Sequence, residues 1–100
     1  MADKFVSPEP KPDGLQRELL DCLIEECAEV QQRATKMQRF GIAEIQPGQP
    51  QTNAERLSVE AGDLMHLITR CIGVGLIDAD VMYKAQAAKR EKLDRFLQAT

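Results

Sequence analysis

Histidine occurs once in these 100 residues, at His66, and cysteine three times, at Cys22, Cys27 and Cys71. A single histidine excludes a His-rich metal site within one chain. The cysteines form no Cys-x-x-Cys pair, and each sits among apolar residues. A zinc knuckle and a disulfide framework are therefore not expected, and the thiols read as reduced, small, semi-buried side chains. Aromatic residues are as scarce: Phe5, Phe40, Tyr83 and Phe96. Phe40 and Phe96 are expected in the core, which leaves no readable platform for base recognition. A basic excess is missing too, with 13 Lys and Arg against 16 Asp and Glu, a net charge of −3 and a pI of about 5.1. That argues against nucleic acid as a partner. No apolar run approaches the roughly 18 residues that a membrane helix needs. The opening Met1-Ala2-Asp3-Lys4-Phe5-Val6 has no apolar run of signal-peptide length, so the expected address is the cytoplasm.

What is present is 43% hydrophobic and 29% charged residues in 11.2 kDa, the profile of one small soluble domain. A chain of this size buries only about two thirds of its unfolded surface, so help from a partner subunit is expected. Residues 1–14, with Pro8, Pro10, Pro12 and Gly14, read as an extended Pro-rich arm that Phe5 and Val6 tack onto a surface. Residues 15–100 read as the helical domain. Leu15 to Phe40 contains no Gly or Pro and has helical periodicity, and Gly41 is placed to stop it. Residues 42–51 form a long loop. Thr52-Asn53-Ala54-Glu55 fits a capping box that opens a second helix to about Ile72. Gly73-Val74-Gly75 breaks it, and Asp78 or Asp80 caps a third helix to about Leu97. No strand-like alternation occurs. The expected fold is all-α, with three main helices in a bundle that oligomerisation completes.

The charges are informative because of where they fall. At about 100° per residue, Leu19, Leu23, Cys27, Val30, Ala34 and Met37 make one stripe. Glu26 lies inside it, Glu29 at its edge and Glu25 well off it. The second stripe is Leu57, Ala61, Leu64, Ile68 and Ile72, with Glu60 on its flank and Asp63 further round. The third helix has Val81, Met82, Ala85, Leu93 and Phe96 on one side, and Lys89 and Lys92 project into the same sector. Glu26 and Glu29 are i,i+3 neighbours, as are Glu60 and Asp63, so each pair shares a helix face. If the helices pack, four carboxylates converge. Unpaired, they cost several kcal/mol, so either their pKa values rise or a cation sits among them. A hard divalent ion suits oxygen ligands, Mg²⁺ above all with Mn²⁺ as a substitute, and Mg²⁺ shares its shell with substrate phosphates. Lys89 and Lys92 would add positive charge for those phosphates. Arg33 follows Glu29 by one turn, as a phosphate ligand or as an ion-pair partner of Glu29. Asn53 either aids capping or contacts substrate. Gly62, inside a helix, suggests close helix approach, and His66 reads as exposed or interfacial.

Glu25-Glu26-Cys27-Ala28-Glu29 followed by Glu60-Ala61-Gly62-Asp63 resembles the Glu-Glu-x-x-Glu … Glu-x-x-Asp signature of the MazG-like, all-α NTP pyrophosphohydrolases. Leu23-Ile24 before the first motif, Leu64 after the second and Lys89-x-x-Lys92-Leu93 agree with it, and the resemblance covers residues 15–97. It implies a homodimer or homotetramer and Mg²⁺-dependent cleavage of a nucleoside triphosphate to the monophosphate and pyrophosphate. By position, Glu26, Glu29, Glu60 and Asp63 would be metal ligands, and Glu25 would orient the attacking water or a ligand. The stretch between the motifs is longer than the family pattern, and the excess is the loop. Two readings of other classes compete. One is a di-metal redox bundle, of which Asp63-Leu64-Met65-His66 is a faint pattern although the first helix offers no His. The other is a non-catalytic interaction module with the acids as a solvated face.

Overall fold

Four local signals set the helix boundaries. In the computed structural model, which describes residues 10–99, Asp13 accepts a hydrogen bond from the Gln16 amide at 2.8 Å, and Gln16 returns one from its side-chain oxygen to the Asp13 amide at 2.9 Å. This reciprocal cap starts α1 (Gly14–Phe40) one residue before the position read from the sequence. Pro10 to Asp13 lie outside any helix, and the arm's first nine residues fall outside the described part, as do the contacts expected of Phe5 and Val6. Gly41 ends α1 at φ 102°, a conformation that a side chain would strain, and its amide donates to the Met37 carbonyl. Thr52 and Glu55 form the expected capping box of α2 (Asn53–Gly73). Asp78, rather than Asp80, caps α3 (Ala79–Phe96) through a 3.1 Å bond from the Val81 amide. The described chain is all-helical, and none of its helices is long and apolar enough to cross a membrane.

α1 and α2 pack as an antiparallel hairpin, tied at both ends. The Gln16 side-chain amide donates to the Val74 carbonyl at 2.8 Å, and at the other end Asn53 donates to the Gly41 carbonyl at 2.8 Å. Leu19, Arg33, Asn53 and Cys71 are the buried residues of the seam, with Glu26 and Glu60 half-buried in it. The contact faces are therefore rotated away from the apolar stripes. Cys27, Ala34 and Ala61, expected in the core, are exposed. Of the three thiols only Cys71 is buried. Gly62 is exposed too, and a Cβ there would meet nothing within 4 Å, so it serves no close approach inside the chain.

The rotation leaves the hairpin with two unlike sides. In an antiparallel pair, residues displaced in the same angular sense from each contact line share a side. On one side stand Leu20, Ile24, Cys27, Ala61, Met65 and Ile72, and no charged residue of either helix joins them. On the other stand Glu18, Glu25 and Glu29 of α1 with Arg56, Asp63 and Arg70 of α2. Near its own start α3 faces the apolar side, with Met82, Tyr83 and Gln86 across a groove of about 360 Å³ from Met65, Ile68 and Ile72. It has no buried residue, and Phe96, expected in the core, is 76% exposed. Phe40 is exposed as well, with Lys36 and Arg39 over its ring at 5.6 and 5.0 Å. The radius of gyration is 18.3 Å, against about 13 Å for a compact domain of 100 residues. No bundle closes within the described residues.

Candidate metal centre

Glu60 and Asp63 lie one turn apart on α2, and Glu26 faces them from the middle of α1. One oxygen of each lies within 4.8 Å of the others. The α1–α2 seam creates this cluster, because it carries Glu26 and Glu60 inward. Asp63, exposed on the polar side, gives the site its opening.

Oε2 of Glu26 is buried and has no hydrogen-bond partner. Two ionised carboxylates can only accept, so neither Glu26 nor Glu60 can satisfy the other without a proton between them. The Glu26 carboxyl is accordingly pushed up to about 7 from its usual 4.5. The first cause is the hydrogen bond it makes to Glu60 when protonated. Burial comes next, followed by the negative charges of Glu60, Asp63 and Glu29.

The four expected ligands are thus not equivalent. Glu26, Glu60 and Asp63 come together; Glu29, half-buried, stays outside the cluster and acts on Glu26 through its charge. Glu25 is exposed and also outside it. Arg33 lies in the seam two turns beyond Glu26, 9% exposed. Asn53 is 2% exposed, and its amide is engaged by the Gly41 carbonyl and by Glu44 Oε1 at 3.1 Å, with its backbone amide on the Glu44 carbonyl at 2.9 Å. That side chain holds the loop to the start of α2 and is not free for a substrate. A 3.1 Å bond from Arg56 to Gln46 strengthens the same attachment. Lys89 and Lys92 are exposed and share a patch with Leu93 and Phe96, made of α3 alone. His66 is exposed and belongs to no cluster with the acids. The residue that sequence reasoning missed is Glu44. Its role depends on a loop conformation that no periodicity encodes.

The donor set fits a hard divalent cation. It is all oxygen, it includes a buried oxygen without a partner, and it leaves room for water or phosphate on the exposed flank. An octahedral Mg²⁺ shell places neighbouring ligand oxygens about 3 Å apart and opposite ones about 4 Å. Comparison with protein-family models, curated proteins and solved structures finds no match to this chain.

Proposed function

We propose that the protein is a Mg²⁺-dependent nucleoside triphosphate pyrophosphohydrolase that cleaves (d)NTP to (d)NMP and pyrophosphate. The observation that carries the reading is the Glu26–Glu60–Asp63 cluster with its orphaned Oε2, which one dication would satisfy. The resemblance of the two acidic motifs to the MazG-like enzymes supplies the reaction class. Glu26, Glu60 and Asp63 would hold the ion, and Glu29 would add negative field behind them. Bound there, the ion supplies charge for the triphosphate oxygens and a water of lowered pKa. Glu26 must give up its proton to serve as a ligand, which couples binding to pH. Glu25, on the open side of α1, is available to accept a proton from water. Lys89 and Lys92 are the residues assigned to the phosphates, where they would offset the charge of departing pyrophosphate. The redox alternative gains nothing from the site, which is all carboxylate.

A substrate panel tests the reading. Each NTP and dNTP is incubated with the protein, with and without Mg²⁺, and the products are separated. The expected products are monophosphate and pyrophosphate, only with the metal, and lost in Glu60→Gln and Asp63→Asn. Release of orthophosphate with a diphosphate, or no product from any nucleotide, would refute it.

A further inference from the structure

We infer that Arg56, with Arg33 beside it, forms a phosphate-binding end of the carboxylate site, and that the terminal phosphates of a bound triphosphate lie along the polar side of the hairpin toward the loop. The inference deepens the proposed function and rests on its reading of the carboxylates as the reaction site.

Register brings the two arginines together. Seven residues lead from Glu26 to Arg33 along α1, and seven lead from Asp63 back to Arg56 along α2. In an antiparallel pair both steps run the same way. The two arginines therefore stand level with each other, about 10 Å along the hairpin from the carboxylates, toward the loop. They also share a side. At about 100° per residue, Arg33 falls between Glu26 and Glu29 around α1, on the flank of the seam where Arg56 and Asp63 stand. A triphosphate with one end at the carboxylates has its other end within reach of both long side chains.

Chemistry says what these cations are for. Arg33 is 9% exposed, and among the described residues it has no hydrogen-bond or ion-pair partner, Glu29 one turn before it included. An unpaired charge on the seam face that carries Val30 and Met37 is destabilising, and an apolar side chain of similar size would pack there at less cost. Glu26 Oε2 is the only fully buried side-chain polar atom without a partner among the described residues, so the Arg33 nitrogens still meet solvent. Arg56, half-buried, gives one of its five donors to Gln46 at 3.1 Å, which holds the guanidinium in place and leaves the others open. Forked donors of this kind suit phosphate oxygens. The other cations are placed elsewhere: Lys36 and Arg39 lie over Phe40, and Lys89 and Lys92 keep to α3. The direction follows from the charges of α1. Its first half carries Glu18, Asp21, Glu25, Glu26 and Glu29 with no basic residue between them, whereas from Val30 to Phe40 it carries Arg33, Lys36 and Arg39 and no acid. Arg70 stands on the same side at the far end, but Glu18 and Asp21 of α1 would repel an anion there.

Calorimetric titration of the full chain with inorganic pyrophosphate in excess Mg²⁺ tests the inference without turnover. Arg56→Ala and Arg33→Met should each weaken pyrophosphate binding about tenfold. Arg70→Ala, on the same side at the other end, should change it by less than about twofold. Urea unfolding should find Arg33→Met at least as stable as wild type, because the variant removes an unpaired charge from the seam. Unchanged affinity in Arg56→Ala and Arg33→Met, an equal loss in Arg70→Ala, or an Arg33→Met chain less stable than wild type would overturn the inference. The two levels fail separately. If wild type cleaves a nucleotide to monophosphate and pyrophosphate while both arginine variants bind pyrophosphate as wild type does, the proposed reaction stands and the phosphate-binding end falls. Pyrophosphate binding that needs both arginines, in a protein that hydrolyses no nucleotide, would remove the proposed reaction and leave the anion site standing.

Discussion

Glu26 should dominate the pH dependence of stability, and the sign follows from its raised pKa. The unfolded chain releases this proton near 4.5; the folded chain holds it to about 7. Between those values the folded state binds more protons, so stability falls as pH rises through that window and stays low above it. A dication bound as proposed would reverse the trend, because it would replace the proton and prefer the ionised group. The expected result is a melting temperature that drops from pH 5 to pH 8 without metal, and a Mg²⁺-induced rise that is larger at pH 8 than at pH 6. Glu26→Gln should flatten the first dependence and abolish the second. Differential scanning fluorimetry across pH, with EDTA or Mg²⁺, measures both. A Mg²⁺ effect that is equal at the two pH values would show that the ion binds elsewhere.

Asn53 governs the loop between the first two helices. Its amide and backbone together occupy the Gly41 carbonyl, the Glu44 carboxylate and the Glu44 carbonyl at the start of α2. Asn53→Ala leaves a carbonyl without its donor and should cost about 1–3 kcal/mol in urea unfolding. Asn53→Asp replaces the donor by an acceptor beside Glu44, so it should be worse than alanine at pH 7 and recover toward it below pH 4. At the α2 cap, Thr52→Ala should cost about 1 kcal/mol. Glu55, whose carboxyl the Thr52 backbone and side chain hold below its usual value, loses its share of that cap as the pH falls through the carboxylate range. The element boundaries were legible in the sequence because caps are local: Thr52 with Glu55, Gly41, and an Asp before α3 each act within one turn. Rotation about the helix axes was not. α1 has apolar residues over more than one contact face, and periodicity does not say which part meets α2 in the same chain. Cys27 and Ala34 therefore entered the expected core, while Arg33 entered the actual one. The carboxylate site was legible as two i,i+3 pairs. That Glu29 falls outside the cluster depends on the angle at which the helices meet.

A chain that closes its seam around Glu26, Glu60, Arg33 and Asn53, and leaves Ile24, Met65, Leu97 and Phe96 exposed, has half a core. Its extents of 57 × 37 × 22 Å express the same fact as a shape. If a second copy supplies the missing apolar burial, as the sequence reading expects, folding and association are one equilibrium and the folded fraction depends on protein concentration. The melting temperature should therefore rise by roughly a few degrees for each tenfold increase in concentration at fixed pH and salt. Met65→Lys puts a charge into the uncharged side without touching the seam or the carboxylates. It should remove the concentration dependence, lower the melting temperature of the concentrated protein toward that of the dilute one, and leave the mass at one chain by light scattering. If wild type melts at one temperature throughout, the hairpin with its splayed α3 is stable as a single chain, and the exposed face contributes nothing to the fold.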